Sequence, residues 1–177
     1  MTQNLLALLL MLAIVSPCPA RKVKAFAGTH ANFASYKTYQ WLPVKTLSKT
    51  GLVEDEPTIT PVVKEAVNRE MAALGLVEVK ENGDLQVAAF ASTTSVPQLE
   101  ALIFPGHMDL DFATPIATMG RYNKEGTLAV NLIDTKTGKS AWAGIATDSL
   151  DNKPGSGAKK IPGATAAMFN KYPTKKK

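Results

Sequence analysis

Glu125 to Thr147 reads EGTLAVNLIDTKTGKSAWAGIAT, two alternating runs that meet across a polar turn. Leu128, Val130 and Leu132 fall on one side of the first run and Ala129, Asn131 and Ile133 on the other, the two-residue period of a β-strand. Asp134 to Gly138 supplies the reversal, because Asp bonds the backbone just ahead of it and Gly takes positive φ without steric cost. The return run carries Trp142 among small neighbours, Ala141, Ala143, Gly144 and Ala146. An indole set among small side chains leaves room for a covering element, so this hairpin predicts a sheet with something packed on Trp142.

Upstream, Leu76 to Lys80 and Leu85 to Ser92 have strand composition, and the Asn82-Gly83 pair between them predicts a hairpin turn. Leu85, Val87, Ala89 and Ala91 share one face while Ala88 and Phe90 share the other, so this strand belongs in the middle of a sheet. Tyr36 to Leu42 is a third alternating run, rich in aromatics, which Pro43 ends by removing a ladder donor. Lys22 to Phe26 reads as a short strand, and the polar stretch Val44 to Pro57 as a surface loop. The covering elements are helices. Val63, Ala66, Val67, Met71 and Leu74 recur at three- and four-residue spacing behind Thr60-Pro61, with Gly75 where a left-handed cap belongs. Lys64, Glu65, Asn68 and Arg69 take the outer side. Ile161, Ala164, Thr165, Met168 and Tyr172 give a shorter helix over Pro162 to Tyr172, after a flexible connection from Asp148 to Gly157. The sum is one α+β domain over residues 21–173: a mainly antiparallel sheet of about four to six strands with two helices packed on one face.

Residues 1–20 stand apart. Leu5 to Val15 is an unbroken apolar run, too short to span a membrane and suited to the centre of a secretory signal peptide. Cleavage after Ala20 would release a soluble chain. Val15-Ser16-Pro17-Cys18 also resembles a lipobox, in which the signal ends before Cys18 and that cysteine is lipidated, although Pro17 stands where Gly or Ala is usual. No Lys or Arg precedes Leu5, whereas Arg21, Lys22 and Lys24 follow the run, an order that opposes export under the positive-inside bias. Cys18 is the sole cysteine, so the domain has no disulfide framework and no thiolate nucleophile. A domain of this length buries about two thirds of its unfolded surface and needs neither. The formal charge of +5 belongs to the C-terminal end: all 15 acidic residues precede Asn152 and seven lysines follow it. The basic tail, 174–177, reads as a solubilising end that could touch anionic envelope polymers. No nucleic-acid partner is expected, and a membrane only through lipid on Cys18.

One spacing hints at chemistry. His107, Asp109 and Asp111 alternate, and in an extended segment the imidazole and both carboxylates would share one side, donor types that suit a divalent metal. Such triplets arise readily in polar loops, and nothing beside them supplies an activated nucleophile or oxyanion site. Pro154-Gly155-Ser156-Gly157-Ala158-Lys159 is not a phosphate loop, since it lacks the Gly-Lys-Ser/Thr ending. No motif demands a cofactor, and no catalytic constellation is present.

Several stretches taken in order resemble one bacterial family, domain of unknown function 4136. They are Phe33-Ala34-Ser35-Tyr36-Lys37-Thr38-Tyr39-Gln40-Trp41-Leu42-Pro43, the helix ending in Leu74-Gly75, Gly83-Asp84-Leu85-Gln86-Val87, Gly126-Thr127-Leu128 through Trp142-Ala143-Gly144, and Phe169-Asn170-Lys171-Tyr172-Pro173. The resemblance implies an α+β domain in an exported envelope protein, often a lipoprotein, and carries over no catalytic residue. The expectation is therefore a non-catalytic envelope or periplasmic protein without cofactor, binding a protein partner or small ligand. The alternative is a metal-assisted hydrolase acting through His107, Asp109 and Asp111.

Overall fold

The computed structural model describes residues 21–48, 51–92, 125–150 and 155–173. Along them run β1 (Lys22–Ala27), β2 (Thr38–Trp41), β3 (Lys45–Ser48), β4 (Gly51–Glu54), α1 (Thr60–Ala73), β5 (Val77–Glu78), β6 (Leu85–Ser92), β7 (Glu125–Asp134), β8 (Ser140–Ser149) and α2 (Ser156–Phe169). The domain is α+β, as the sequence predicts. The sheet itself is larger and more mixed than expected: eight strands among the described residues, in the order β1-β8-β7-β6-β2-β5, with β3 on β6 and β4 on β3. β1–β8, β8–β7, β7–β6 and β3–β4 pair antiparallel. β2 and β3 both lie parallel to β6, and β5 parallel to β2.

The predicted central hairpin forms β7 and β8, paired from Glu125↔Ser149 to Leu132↔Trp142, with a bulge before Ile133↔Ser140. Gly138 at the turn has φ 67°. The Asp134 carboxylate accepts hydrogen bonds from the backbone N–H groups of Lys136 and Thr137 and from the Tyr36 hydroxyl. β6 is indeed central, with β7 on one side and β2 followed by β3 on the other. Pro43 interrupts that second side without ending it. Trp41 opposes Val87 and Lys45 opposes Phe90, so one extra residue is accommodated and the chain resumes pairing after the proline. The Val44–Pro57 stretch is accordingly a β-hairpin, β3–β4, in place of the expected loop.

Asn82-Gly83 does not make the predicted hairpin turn, because β2 lies between β5 and β6 and all three run parallel. The chain crosses the start of β2 instead. Asn82 takes φ 57°, and a Cβ on Gly83 would stand 2.8 Å from the Gln40 nitrogen, so only glycine fits against the β2 backbone. Asp84 locks the crossing: its Oδ2 accepts from the Lys37 and Thr38 N–H groups and from the Thr38 hydroxyl.

Register places Leu85, Val87, Ala89, Ala91, Leu128, Val130, Leu132, Trp142, Gly144 and Ala146 on one face. Both helices share one buried cluster with that face, α1 through Val63, Ala66, Val67 and Met71, and α2 through Ile161, Ala164, Met168 and Phe169. The opposite face is buried too, at Phe90, Ala129, Asn131, Ile133, Ala143 and Ile145. α1 ends as predicted, with Gly75 at φ 78°, but its N-cap is Ile59 and not Thr60. The Glu56 carboxylate fixes the turn that leads into the helix, accepting from the N–H groups of Thr58 and Ile59. α2 starts at Ser156, earlier than predicted, and absorbs Pro162 within its length. β8 likewise runs on to Ser149, so both ends of the expected Asp148–Gly157 connection belong to regular elements, while residues 151–154 lie outside the described part of the chain.

Candidate ligand-binding cleft

The residues singled out for chemistry lie outside the described part of the chain: His107, Asp109 and Asp111 between β6 and β7, and Cys18 before β1. The signal segment 1–20 and the tail 174–177 are outside it as well. Among the described residues, no group of three or more His, Cys, Asp or Glu could hold a metal, and no helix is long and apolar enough to cross a membrane.

Trp142 meets the expectation made for it. It is 1 % exposed, with ring centroids of Phe169 at 4.9 Å and Tyr172 at 5.6 Å, so the covering element is the end of α2. Burial pushes the Tyr172 phenol up to about 12. Trp41 is only half-buried and lies under Lys64, whose Nζ is 5.6 Å from the ring centroid. Asn68, assigned to the outer side of α1, turns out to be a junction. Its Oδ1 accepts from the Tyr39 hydroxyl and the Trp41 indole N–H, while its Nδ2 donates to Glu78 Oε2.

The opposite end of the helix-covered face opens into a cleft. Its cavity is about 60 Å³, within a depression of about 500 Å³ that includes the mouth. The floor comes from the ends of three paired strands, Ala91 on β6, Gly126 and Leu128 on β7, and Ala146 on β8; Ile59 before α1 and Ile161 and Ala164 on α2 close it from above. These surfaces are apolar because they continue the core outward. α2 runs back along β8, so its C-terminal end covers Trp142 while its first turns flank the cleft.

Two polar features break the apolar lining. At the β8 side, the Asp148 side chain is 13 % exposed and both its oxygens are engaged. Oδ2 accepts from Arg21 Nε at 2.9 Å and lies 2.9 Å from Arg21 Nη2, and Oδ1 accepts from Lys160 Nζ at 3.1 Å. Lys160 also donates to the Ser149 carbonyl. Two cations on one carboxylate leave a net positive charge there. At the β3 side, Thr46 lines the cleft at 5 % exposure with no partner for its hydroxyl among the described residues. A buried hydroxyl left unpaired costs about 1–3 kcal/mol.

None of these polar residues was marked by the sequence. Thr46 sat in a stretch read as loop, and Asp148 and Lys160 sit on separate elements brought together only when α2 folds back on β8. The residues that the cleft joins carry no local motif.

A comparison with curated proteins finds no match. Among solved structures, a DUF4136 family protein from Bacteroides thetaiotaomicron superposes with a TM-score of 0.58 at 14% identity, covering 85% of this chain and 94% of that one. The PelC dodecamer from Paraburkholderia phytofirmans gives 0.50 at 10% identity, over 84% of this chain and 96% of that one. A PDZ domain protein from Parabacteroides distasonis gives 0.52 at 16% identity, over 87% of this chain and 37% of that one. At these identities the likeness is one of fold. The family model for the domain of unknown function DUF4136 matches residues 24–174, which takes in every element from β2 to α2 and most of β1, and the chain therefore belongs to the DUF4136 family.

Proposed function

We propose that this is a non-catalytic protein of the bacterial cell envelope, exported by residues 1–20, that binds a small ligand in the cleft between α2 and the ends of β6, β7 and β8. It is released after Ala20 or held by lipid on Cys18. The observation that carries the binding reading is the cleft itself, an apolar cavity of about 60 Å³ that widens at its mouth and has a few polar groups at its edges. Arg21 and Lys160, gathered on Asp148, put cationic groups at the cleft's edge where a ligand could meet them. Two measurements test it. Native mass spectrometry of protein purified gently from its host should show a small non-covalent adduct. The intact mass of the mature chain, from separated membrane and soluble fractions, should begin at Arg21 or at an acylated Cys18. An uncleaved chain starting at Met1 sinks the export reading, and a variant with Ala164→Trp filling the cleft that keeps the adduct sinks the site.

A further inference from the structure

We propose that the cleft takes a single-chain, mostly apolar molecule with an anionic group at one end and a hydrogen-bonding group at the other. This rests on the ligand-binding reading above and names the class of ligand.

The two polar features sit at opposite ends of one apolar floor. Thr46 is level with Ala91, which pairs with Leu128, which pairs with Ala146, so a single row of residues crosses β3, β6, β7 and β8. Three strand spacings separate its ends, about 14 Å. Asp148 lies two residues beyond Ala146 on the same face, with Arg21 and Lys160 gathered on it. A molecule lying along the row therefore meets the cations at one end, methyl and methylene groups along its length, and the Thr46 hydroxyl at the other.

Charge selects the first end. Arg21 and Lys160 outnumber Asp148, and of the three Nζ protons of Lys160 the Asp148 carboxylate and the Ser149 carbonyl engage two. The first turn of α2, which flanks the cleft at Gly157, contains no acidic residue, so the positive end of its dipole adds to the same sign. Of the charged side chains on the neighbouring strands among the described residues, Glu125 and Lys45 fall on the opposite face of the sheet by register. An anion gains there and a cationic head is repelled.

Burial selects the second end. Thr46 Oγ1 is enclosed and has no partner among the described residues, and a wholly hydrocarbon ligand would leave it so. A ligand carrying a hydroxyl or carbonyl at that end gives it a partner and recovers part of the cost of its desolvation. The Lys45–Glu54 pair beside it is on the solvent edge and does not compete for that hydroxyl.

The test is calorimetric titration of the mature chain with ω-hydroxydecanoate, decanoate, decanediol and decyltrimethylammonium, in wild type, Lys160→Met and Thr46→Val. In wild type, ω-hydroxydecanoate binds tightest, with decanoate roughly fivefold and decanediol roughly tenfold weaker, and the ammonium weakest. Thr46→Val brings ω-hydroxydecanoate to the level of decanoate, and Lys160→Met weakens both carboxylates while leaving decanediol as it was. Each comparison is a ratio within one variant, so a general loss of stability does not mimic it. Co-sedimentation with phosphatidylglycerol vesicles that falls on Lys160→Met assigns the anionic end to a lipid headgroup; decanoate binding without co-sedimentation assigns it to a free carboxylate. Carboxylates and diol binding alike, or a hydroxyl advantage that survives Thr46→Val, overturn the assignment of ends while the cleft remains a ligand site. No binding by any chain overturns both.

Discussion

Gly144→Ala puts the packing of α2 on the sheet to a quantitative test. A Cβ at 144 would stand 2.7 Å from Trp142 Cη2, 3.0 Å from Met168 Cβ and 3.2 Å from Met168 Sδ. The sulfur can swing aside. The other two atoms cannot, because Trp142 is boxed in by Phe169 and Tyr172 and the Met168 Cβ is carried rigidly by the helix. Relief requires α2 to lift from β8, loosening contacts along both. Overpacking of this kind costs about 1–3 kcal/mol, and the reduced freedom of Ala in the unfolded chain returns about 0.4–1 kcal/mol. The net loss is about 1–2 kcal/mol, a fall of about 3–8 °C in Tm for a chain of this length. Thermal unfolding followed by circular dichroism reads it directly. Trp142→Phe removes the atom struck by the new methyl, so the double variant should lose less than the sum of the singles, by at least about 0.5 kcal/mol. An unchanged or raised Tm for Gly144→Ala, or strict additivity in the double variant, would refute the packing argument.

Asp84→Asn removes the charge that holds the start of β2 and should cost about 1.5–3 kcal/mol in urea unfolding. The Lys37 N–H, followed by that of Thr38, holds the Asp84 carboxyl below its usual range. Asp134 is lowered as well: burial acts in the opposite direction but is outweighed by the Tyr36 hydroxyl and the N–H groups of Thr137 and Lys136. Depressed folded-state values mean stability that is full above the ordinary carboxylate pKa, about 4, and drains as pH falls through the folded values. The acid limb of a stability–pH curve should therefore be shallower in Asp84→Asn than in wild type, and equal slopes would count against this network. Asn68→Ala leaves the Tyr39 hydroxyl and Trp41 indole without their acceptor and should cost about 1–3 kcal/mol, with a shift in Trp41 emission. Unaltered emission and stability would mean that water replaces Asn68 freely.

Much of the fold is legible in local pattern. The two-residue alternation of β7 and β8 marks two paired strands, the small neighbours of Trp142 mark a covered indole and the apolar stripe of α1 marks its buried side, and each is matched by the structure. The errors share one cause. Asn82-Gly83 is the chemistry of a tight turn, yet the same left-handed Asn and Cβ-free Gly serve equally a chain crossing over β2. Pro43 removes a donor in either case, but whether pairing stops or resumes depends on β6 offering a continuous edge on the far side. Asn68 looks like an outward polar residue until β2 and β5 supply its partners.

By itself the sequence determined the α+β class, the central hairpin, the central position of β6 and the extent of α1, because these follow from periodicity and composition within short windows; the family came from the resemblance of its motifs taken in order. Only the tertiary structure decided the parallel placement of β2, β3 and β5, the eight-stranded sheet, and the cleft. Thr46, Asp148 and Lys160 lie on three separate elements and Arg21 just before a fourth, and their placement arises from strand order and from α2 folding back on β8. Strand order is set by which edges bury the most surface together, a property of the whole chain that no short window of residues contains.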